Sequence, residues 1–494
     1  MPDGGGRNVL FVVLDTVRKD HLTPYGYEKP TTPTLGAFAE EARVYTQAVA
    51  QAPWTLPSHA SMFTGLYPSE HAATQESPYL PAQIGTLAET LSTAGYATAC
   101  YSSNAWITPY TRLTAGFDET DNFFGVLPGT VPSPVASFWQ WLTSGRTRPI
   151  ADRLVEIGNE IHERFSGAGG SKTPETVDKV SAFVDAHANE QWFAFVNLMD
   201  AHLPYYPSGL HKEAFAPDVD PDAVCQNSKE YNSGAREITE QEFDDIRRLY
   251  DAEIRGMDEG LGRLFGHLRS TGQWEETAVV VCADHGELHG EFGLYGHEFA
   301  VYDPLVNVPL LFKHPGIDAG RTDEQVELLD LYDTVLDVAG ATDATAAVNG
   351  RQFEPERSLL SEGKSIDDGE YAFIEYHRPI VELRQLASKA TAAGIEIGDL
   401  SRFNSRLCAV RHPESKYIRN ERFDDEWYRI DDGLAESAPL SPEEPIAGEL
   451  EAALGRFRKR TRKRKKDGSE PKRPLSEMDD VTRRRLEELG YLER

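Results

Sequence analysis

The sequence has 494 residues, of which 40% are hydrophobic, so it is long enough for a large core and for more than one structural unit. Its formal net charge of −30 at pH 7 argues against general nucleic-acid binding, because a polyanion would repel it. No run of 18 apolar residues occurs, and the sequence therefore predicts no transmembrane helix.

The first hundred residues alternate between predicted strands and helices. The continuous apolar run Asn8–Leu14 is typical of a strand buried on both faces of a parallel sheet, and it ends at Asp15. Helices are predicted at 34–42 and 84–95, and strands at 44–48 and 97–102. This alternation predicts an α/β fold, in which helices cover both faces of a large, mostly parallel sheet.

Thr55 stands at the predicted start of a helix. Pro57 falls in the first turn, where proline costs no backbone hydrogen bond, and Gly65 is a typical helix-ending residue. Free N–H groups and the helix dipole favour an anion at such a helix N-terminus. Thr55 therefore fits two roles: an ordinary helix cap, or a nucleophile that acts on an anionic substrate.

Residues 127–172 depart from the alternation, because they are rich in Pro, Gly and Ser. They predict an insertion with a helix near 150–165. Its aromatic cluster is either the core of an inserted subdomain or a lid, and consists of Phe138, Trp139 and Trp141. Beyond the insertion, a helix is predicted to start at Thr173, with further helices at 243–264 and 325–339 and strands at 192–199, 278–283 and 308–313.

The composition changes after residue 350. Short strands near 373–376, 407–411, 417–419 and 427–428 predict a smaller α+β subdomain. The expected organisation is a catalytic domain at 1–350, a C-terminal subdomain at 351–450, and a basic tail with a terminal helix at 451–494. The basic run 456–466 either contacts anionic lipid headgroups, at about 1 kcal/mol per charge, or docks on the acidic body of the protein.

The compartment is predicted to be the cytoplasm. The apolar run near the N-terminus is too short for a signal-peptide core and lacks a cleavage site. The four cysteines show no metal-binding or redox spacing, and Cys100 and Cys282 are expected to be reduced core residues. The strong acidity also favours a protein adapted to high salt, which screens self-repulsion.

Polar residues that can ligate a metal follow three of the predicted strands. They are Asp15, then Asp200 and His202, then Asp284 and His285. The carboxyl ends of parallel strands meet at one sheet edge, and carboxylates converge there without repulsion only around a cation. Asp15, Thr55, Asp284 and His285 together suit one divalent ion such as Mn²⁺, Zn²⁺ or Mg²⁺. Such an ion would lower the pKa of the Thr55 hydroxyl and make it a nucleophile.

Short motifs follow one another in a fixed order from residue 8 to residue 432. They occupy 13–18, 52–59, 197–202, 283–287, 295–297, 307–311 and 427–430. In order and spacing they resemble the sulfatase family of the alkaline phosphatase superfamily. The resemblance implies an alkaline-phosphatase-like sandwich, with a large mostly parallel sheet and a smaller C-terminal α+β subdomain. It also implies a metal-dependent enzyme that acts on phosphoric or sulfuric esters.

The resemblance assigns roles residue by residue. Thr55 falls on the nucleophile position, which true sulfatases fill with a Cys or Ser converted to formylglycine. Asp15, Asp284 and His285 fall on metal ligands, together with Thr55. His202 and His297 fall on positions that hold the anionic oxygens of the substrate or protonate the leaving group.

His59 and Asp200 are expected at the substrate. The alternatives are a place on the helix surface for His59, and a share in a second metal site for Asp200 with His202. His59 also departs from the family pattern, because it replaces the arginine of the motif. Thr16 replaces the usual second aspartate, which weakens the case for Ca²⁺ among the candidate ions Mn²⁺, Zn²⁺, Mg²⁺ and Ca²⁺.

The threonine favours phosphoester over sulfate chemistry. Formylglycine acts as an aldehyde hydrate whose second hydroxyl expels sulfate, and an unmodified Thr55 lacks that group. In this respect the chain is similar to lipoteichoic-acid-synthase-like phosphoglycerol transferases. The expected substrate is a small-molecule, glycan or lipid-linked ester. The alternatives are a true sulfatase on a glycan or aryl sulfate, and a non-catalytic binding protein with the sulfatase fold.

Overall fold

An eight-stranded sheet forms the centre of the protein. The computed structural model describes residues 7–123, 171–349, 351–361, 371–398, 401–431 and 435–465. The first ten strands are β1 (Asn8–Leu14), β2 (Arg43–Val49), β3 (Ala97–Ser102), β4 (Glu119–Asp121), β5 (Trp192–Leu198), β6 (Thr277–Cys282), β7 (Leu288–His289), β8 (Tyr295–Gly296), β9 (Asn307–Lys313) and β10 (Gly320–Glu327). Strands β7 and β8 form a separate two-stranded ribbon, and the other eight form the large sheet.

The large sheet has the order β10-β2-β9-β6-β1-β5-β3-β4. Only β9 is antiparallel to its neighbours, β2 and β6, and every other pairing is parallel. The predicted α/β class with a mostly parallel sheet is therefore confirmed. Strands β1, β5 and β6 lie side by side and are almost wholly buried, as their continuous apolar runs predict. Their carboxyl ends consequently share one edge of the sheet.

Thirteen α-helices can be followed in the described part of the chain. They are α1 (Pro33–Phe38), α2 (Thr55–Thr64), α3 (Pro68–His71), α4 (Leu87–Thr93), α5 (Thr173–Ala186), α6 (Gly209–Phe215), α7 (Ser228–Asn232), α8 (Glu240–Ser270), α9 (Asp303–Val306), α10 (Asp330–Val338), α11 (Thr345–Asn349), α12 (Ile380–Ala392) and α13 (Pro445–Lys465). Within the ranges that the structure covers, no helix combines the length and the apolarity needed to cross a membrane.

The prediction of a helix at 325–339 is wrong for its first residues. Residues up to Glu327 belong to strand β10, and α10 begins only at Asp330. Val326 pairs with Ala48 and Glu327 with Val49, so the open edge of β2 draws this segment into the sheet. The backbone hydrogen bonds that β2 offers override the local helical pattern, which is a tertiary effect that no short window of sequence contains.

The C-terminal region forms a second, antiparallel sheet. Its strands are β11 (Ala372–Tyr376), β12 (Leu407–His412), β13 (Ser415–Asn420), β14 (Glu426–Asp431) and β15 (Ala435–Pro439). Helix α13 packs on it: the ring of Phe457 stacks on Phe373 at 4.3 Å between centroids and meets Tyr67 at 4.8 Å. The predicted boundary at residue 450 falls inside α13.

Parts of the predicted organisation lie outside the described residues. These are the helix near 150–165, the aromatic residues Phe138, Trp139 and Trp141, and the terminal helix after residue 466. Cys100 and Cys282 lie in the core as unpaired thiols, as the sequence predicts, and burial raises the pKa of both.

A buried ion cluster joins the C-terminal sheet to α9. Asp303, at the start of α9, accepts hydrogen bonds from Arg411 Nε at 2.9 Å and Lys416 Nζ at 2.8 Å. Lys416 Nζ also donates to Glu436 at 2.8 Å, and Glu436 accepts from the Asp303 N–H. Burial alone would raise the pKa of Asp303, but the charges of Arg411 and Lys416 outweigh it and hold that pKa well below its usual value.

Candidate active site and metal centre

Three polar side chains meet at the carboxyl edge of β1 and β6. Asp15 directly follows β1, and Asp284 with His285 follows β6. The two strands are parallel neighbours, which places their ends together. Asp15, Asp284 and His285 are fully buried, and one ligand atom from each lies within 4.8 Å of the others. The structure thus brings together three of the four metal-binding residues that the sequence predicts.

The free atoms of this cluster are all acceptors. Asp15 Oδ1, Asp284 Oδ2 and His285 Nε2 have no hydrogen-bond partner among the described residues. The other carboxylate oxygen of Asp284 accepts from the Thr16 N–H at 3.3 Å and the His285 N–H at 3.0 Å. His285 Nδ1 lies 3.0 Å from Gly286 O and donates to it, so Nε2 carries the lone pair. Two carboxylate oxygens and an imidazole nitrogen without donors fit one divalent ion.

The electrostatics of the cluster lead to the same conclusion. Burial, and then the charge of Asp15, raise the pKa of Asp284 well above its usual value. Burial, and then the charge of His297, lower the pKa of His285 well below its usual value. The protein alone therefore disfavours a charged Asp284 beside Asp15, and a cation between the two carboxylates would reverse that preference.

Backbone geometry fixes the turn after His285. The Gly286 N–H donates to Leu305 O at 2.8 Å, next to the start of α9. A Cβ atom on Gly286 would come within 2.0 Å of Pro304 O, so only glycine allows this close approach. The position of His285 is consequently tied to α9 and to the buried ion cluster around Asp303.

Thr55 lies beside the candidate metal ligands. It is the first residue of α2, and Trp54 occupies the cap position, so Thr55 is not the ordinary N-cap. Its side chain is buried, and its Oγ1 accepts a hydrogen bond from Asn104 Nδ2 at 3.3 Å. The same amide nitrogen donates to Asp15 Oδ2 at 2.8 Å. Asn104 therefore connects the candidate nucleophile directly to a candidate metal ligand.

Sequence reasoning missed two asparagines of the site. Asn104 follows β3, and Asn197 Nδ2, near the end of β5, donates to Asp15 Oδ2 at 3.0 Å. Both therefore orient Asp15 and leave its Oδ1 free for an ion. Both asparagines lie at or just after the end of a predicted strand, and this position could have indicated them. Their strands, β3 and β5, are neighbours in the sheet, so both residues lie at the same sheet edge as Asp15.

Three histidine rings line one side of the centre. The ring centroids of His285 and His297 are 4.5 Å apart, and those of His297 and His202 are 5.3 Å apart. His297 Nδ1 lies 3.1 Å from Glu287 Oε1, and His202 Nδ1 lies 2.6 Å from Leu203 O. The structure thus places both sequence-predicted substrate histidines next to the cluster of Asp15, Asp284 and His285.

The two candidate substrate histidines, His202 and His297, differ in charge. Burial alone would lower the pKa of His297, but the carboxylates of Glu287 and Glu298 raise it to about 9. Burial, and then the charge of His297, lower the pKa of His202. Without an ion bound, the site at neutral pH therefore combines a protonated His297, able to give up a proton, with a neutral His202.

His59 is buried inside the site rather than on the helix surface, so that alternative is wrong. Its Nδ1 lies 2.9 Å from Thr55 O and 3.5 Å from Asp284 Oδ2. Asp200 is placed differently, because its carboxylate accepts hydrogen bonds from the Lys172 N–H at 3.2 Å and from the Thr173 hydroxyl at the start of α5. The structure does not bring Asp200 into the cluster.

Comparisons with known proteins cover most of the chain. The sulfatase family model matches residues 7–341, which include every candidate site residue. The multifunctional alkaline phosphatase superfamily protein PehA of Trinickia caryophylli is 23% identical over 467 residues, covering 83% of this chain and 87% of that protein. Choline-sulfatase of Rhizobium meliloti (strain 1021) is 24% identical over 407 residues, covering 77% of each.

A solved structure also shares the fold. The phosphonate monoester hydrolase SpPMH from Silicibacter pomeroyi superposes with a TM-score of 0.66 at 21% identity. The superposition covers 93% of this chain and 95% of that chain. The alkaline-phosphatase-like arrangement of a large sheet and a smaller C-terminal sheet is therefore common to both proteins.

Proposed function

The chain belongs to the sulfatase family of ester hydrolases, and we propose that it cleaves phosphoric esters with Thr55 as an unmodified nucleophile. The observation that carries this proposal is the Asn104 amide, which donates both to the Thr55 hydroxyl and to Asp15. A hydroxyl held in this way, at the first residue of α2, stands where the helix N-terminus favours the anionic part of a substrate.

One divalent ion belongs to the proposed site. Asp15, Asp284 and His285 would hold it through their unpartnered atoms, with Thr55 as the fourth ligand. When bound, the ion supplies positive charge that favours an ionised hydroxyl and stabilises negative charge on the ester. The candidates are Mn²⁺, Zn²⁺, Mg²⁺ and Ca²⁺. Thr16 adds no carboxylate to this set. Its hydroxyl donates to the backbone carbonyl groups of Asp15 and Ala201.

The residues around the ester have separate tasks. Once Thr55 has lost its proton to solvent, Oγ1 forms a bond to phosphorus while the bond from phosphorus to the leaving oxygen breaks. His297 holds a proton at neutral pH and gives it to the leaving oxygen. His202 holds an anionic oxygen of the ester in its protonated form, which the negative charge of the bound ester favours. Attack of a water molecule, or of an acceptor hydroxyl in a transferase, then releases the phosphoryl group from Thr55.

His59 is proposed to hold the start of α2, since its ring nitrogen bonds to the carbonyl group of Thr55. Its effect on the substrate would then pass through the nucleophile. A share of Asp200 in substrate or second-metal binding is the weakest of the proposed roles, because both of its carboxylate oxygens are engaged at the start of α5.

The relatives support two ester classes. A phosphonate monoester hydrolase favours phosphorus chemistry, and a multifunctional alkaline phosphatase superfamily protein is compatible with either class. A choline-sulfatase favours the second candidate, hydrolysis of sulfuric esters. Thr55 favours the phosphoric esters, because phosphorus accepts in-line attack by a second nucleophile, whereas a sulfated threonine lacks the second hydroxyl that expels sulfate. A purely binding role is disfavoured, since it has no use for three buried acceptors without donors.

The proposed substrates are small-molecule, glycan or lipid-linked esters, and helix α13 supports the lipid-linked class. Phe457 packs inward on this helix, whereas Arg456 and Lys459 are exposed. The apolar face is therefore already covered, and the basic face is free for anionic headgroups. Sedimentation with phosphatidylserine vesicles, but not with phosphatidylcholine vesicles, is expected at low salt. Equal sedimentation with both lipids, or with neither, would contradict this contact.

Replacement of Thr55 tests the proposed function. Thr55→Ala is expected to lower kcat by at least about 10³-fold, because it removes the attacking atom. Binding of the metal ion should persist through Asp15, Asp284 and His285. Thr55→Ser is the matched control, since it retains a hydroxyl and should retain activity.

Paired aryl phosphate, phosphodiester and aryl sulfate substrates should be assayed with each of the four ions in molar salt, which screens the acidic surface. The phosphorus esters are expected to turn over faster, with phosphate on the peptide that contains Thr55 in the trapped state. Near-wild-type activity of Thr55→Ala would exclude covalent catalysis at this residue. Release of sulfate without any phosphoesterase activity would overturn the preference for phosphorus.

A further inference from the structure

The turn that follows Asp15 has an unfavourable backbone conformation. Thr16 has a φ of 60°, a left-handed value that is costly for a β-branched residue. Its N–H donates to Asp284 Oδ1 at 3.3 Å, and its hydroxyl lies 2.7 Å from Ala201 O. This turn therefore connects Asp15, which follows β1, with Asp284, which follows β6. Such a conformation persists only where the surrounding structure holds it.

Tyr250, in the middle of α8, holds this turn. Its hydroxyl donates to Thr16 O at 2.7 Å and accepts from the Arg18 N–H at 2.8 Å. One side chain thus satisfies two backbone groups of the turn that begins at Asp15. The side chain is completely buried, so water does not compete for these two hydrogen bonds.

The ring of Tyr250 is itself fixed by its neighbours. It makes edge contacts with His21 and His289, at 5.0 Å and 4.9 Å between ring centroids. Tyr205 lies against it at 5.4 Å. These ring contacts fix the position of the Tyr250 hydroxyl. The hydroxyl in turn fixes the backbone of the turn at Thr16.

We propose that Tyr250 is a positioning residue for the metal ligands Asp15 and Asp284. This inference rests on the proposed metal-dependent function. Without the hydroxyl, the Thr16 carbonyl and the Arg18 N–H would be buried without a partner, which costs about 1–3 kcal/mol for each group. The turn relieves that cost by relaxing from its left-handed conformation, and Asp15 and Asp284 then lose their common centre.

The test compares two buried tyrosines of the same aromatic cluster. Tyr250→Phe removes the hydroxyl that binds the ligand turn. Tyr205→Phe is the matched control, because its hydroxyl bonds to His289 Nε2 at 3.2 Å and does not touch the turn. Metal-free wild type and both variants are titrated with Mn²⁺ by calorimetry, after urea unfolding without metal has shown that each variant folds.

Tyr250→Phe is expected to weaken Mn²⁺ binding by about 10–100-fold, the usual effect of losing a group that orients a metal ligand. Tyr205→Phe should leave the Kd close to that of wild type. The kcat that Tyr250→Phe loses at low Mn²⁺ should return at saturating Mn²⁺, because the reacting groups are intact.

Wild-type Mn²⁺ affinity in Tyr250→Phe would overturn the inference and leave the proposed function standing. If wild type does not bind Mn²⁺, the same titrations are made with Zn²⁺, Mg²⁺ and Ca²⁺, and binding of none of the four ions would overturn both the inference and the proposed metal site.

Discussion

Asp303 and Asp284 are both fully buried, but their surroundings shift their pKa values in opposite directions. Asp303 has Arg411 and Lys416 against its carboxylate, and its pKa lies well below the usual value. Asp284 has another carboxylate, Asp15, beside it, and burial together with that charge raises its pKa well above the usual value. The first cluster is complete within the chain, whereas in the described part of the chain no hydrogen bond from a cation reaches the free carboxylate oxygens of Asp15 and Asp284.

The difference distinguishes a cluster that stabilises the fold from a candidate metal site. A buried charge is tolerated when opposite charges and hydrogen bonds compensate the loss of water. The cluster at Asp303 meets that condition and joins the C-terminal sheet to α9. The cluster at Asp284 does not meet it, although its atoms are held in place by Thr16, Asn104 and Asn197. Carboxylates that are held in place but have no opposite charge to compensate them are typical of a metal site.

The largest expected effect follows from breaking the complete cluster. Asp303→Asn leaves Arg411 buried without a carboxylate and leaves Lys416 with Glu436 alone, and should lower the free energy of unfolding by about 3–5 kcal/mol. Asp178→Asn is the control, because Asp178 pairs with Arg263 at the surface and should cost less than about 1 kcal/mol. Urea denaturation measures both. Equal losses in the two variants would show that the buried cluster adds no special stability.

The incomplete cluster should gain stability from a divalent ion. At about 100 times its Kd, the bound ion is expected to raise the free energy of unfolding by about 2.7 kcal/mol. Asp284→Asn should abolish this gain, and Asp178→Asn should retain it. The measurement is thermal or urea unfolding with and without each ion. A gain that persists in Asp284→Asn would place the ion elsewhere.

In the metal-free protein, the same substitution should have opposite signs at the two aspartates. Asp284→Asn keeps an acceptor for the N–H groups of Thr16 and His285, and removes the repulsion with Asp15. The free energy of unfolding should therefore stay equal or rise, by on the order of 1 kcal/mol. A loss as large as that of Asp303→Asn would contradict the distinction between the clusters.

The smallest expected effect is the pH dependence of the stability that Asp303 contributes. The pKa of Asp303 is depressed in the folded state, so its contribution to stability is present above the unfolded pKa of about 3.9 and is lost as the pH falls towards the folded pKa. The difference in unfolding free energy between wild type and Asp303→Asn should shrink by about 1 kcal/mol from pH 5 to pH 3. A difference that is constant over this range would mean that the Asp303 pKa is the same in the folded and unfolded states.

Much of the site could be predicted because its residues end locally encoded elements. The apolar runs of β1 and β6 predict buried parallel strands, and the residues that follow them, Asp15 and Asp284, consequently share an edge. The start of α2 at Thr55 was readable from Pro57 and Gly65, and Gly65 ends the helix with a φ of 63°. Local pattern and final structure agree at these positions.

Other features depend on contacts between distant segments. Asn104 lies in a loop without a motif, and the spacing of Tyr250 on α8 indicates only a core residue. The strand β10 forms because β2 has a free edge, and Asp200 turns towards α5 because Lys172 and Thr173 offer donors there. The cytoplasmic location and the adaptation to high salt stay predictions from composition.

The most direct test of the central claim is the metal stoichiometry of the purified chain. Metal-free protein is equilibrated with Mn²⁺, Zn²⁺, Mg²⁺ or Ca²⁺ in turn, and the ion retained after gel filtration is measured by mass spectrometry. We expect one ion for each wild-type chain with at least one of these metals. We expect the same ratio for Thr55→Ala, and almost none for Asp15→Asn and Asp284→Asn. Retention by both aspartate variants, or no retention by wild type, would contradict a metal centre at Asp15, Asp284 and His285.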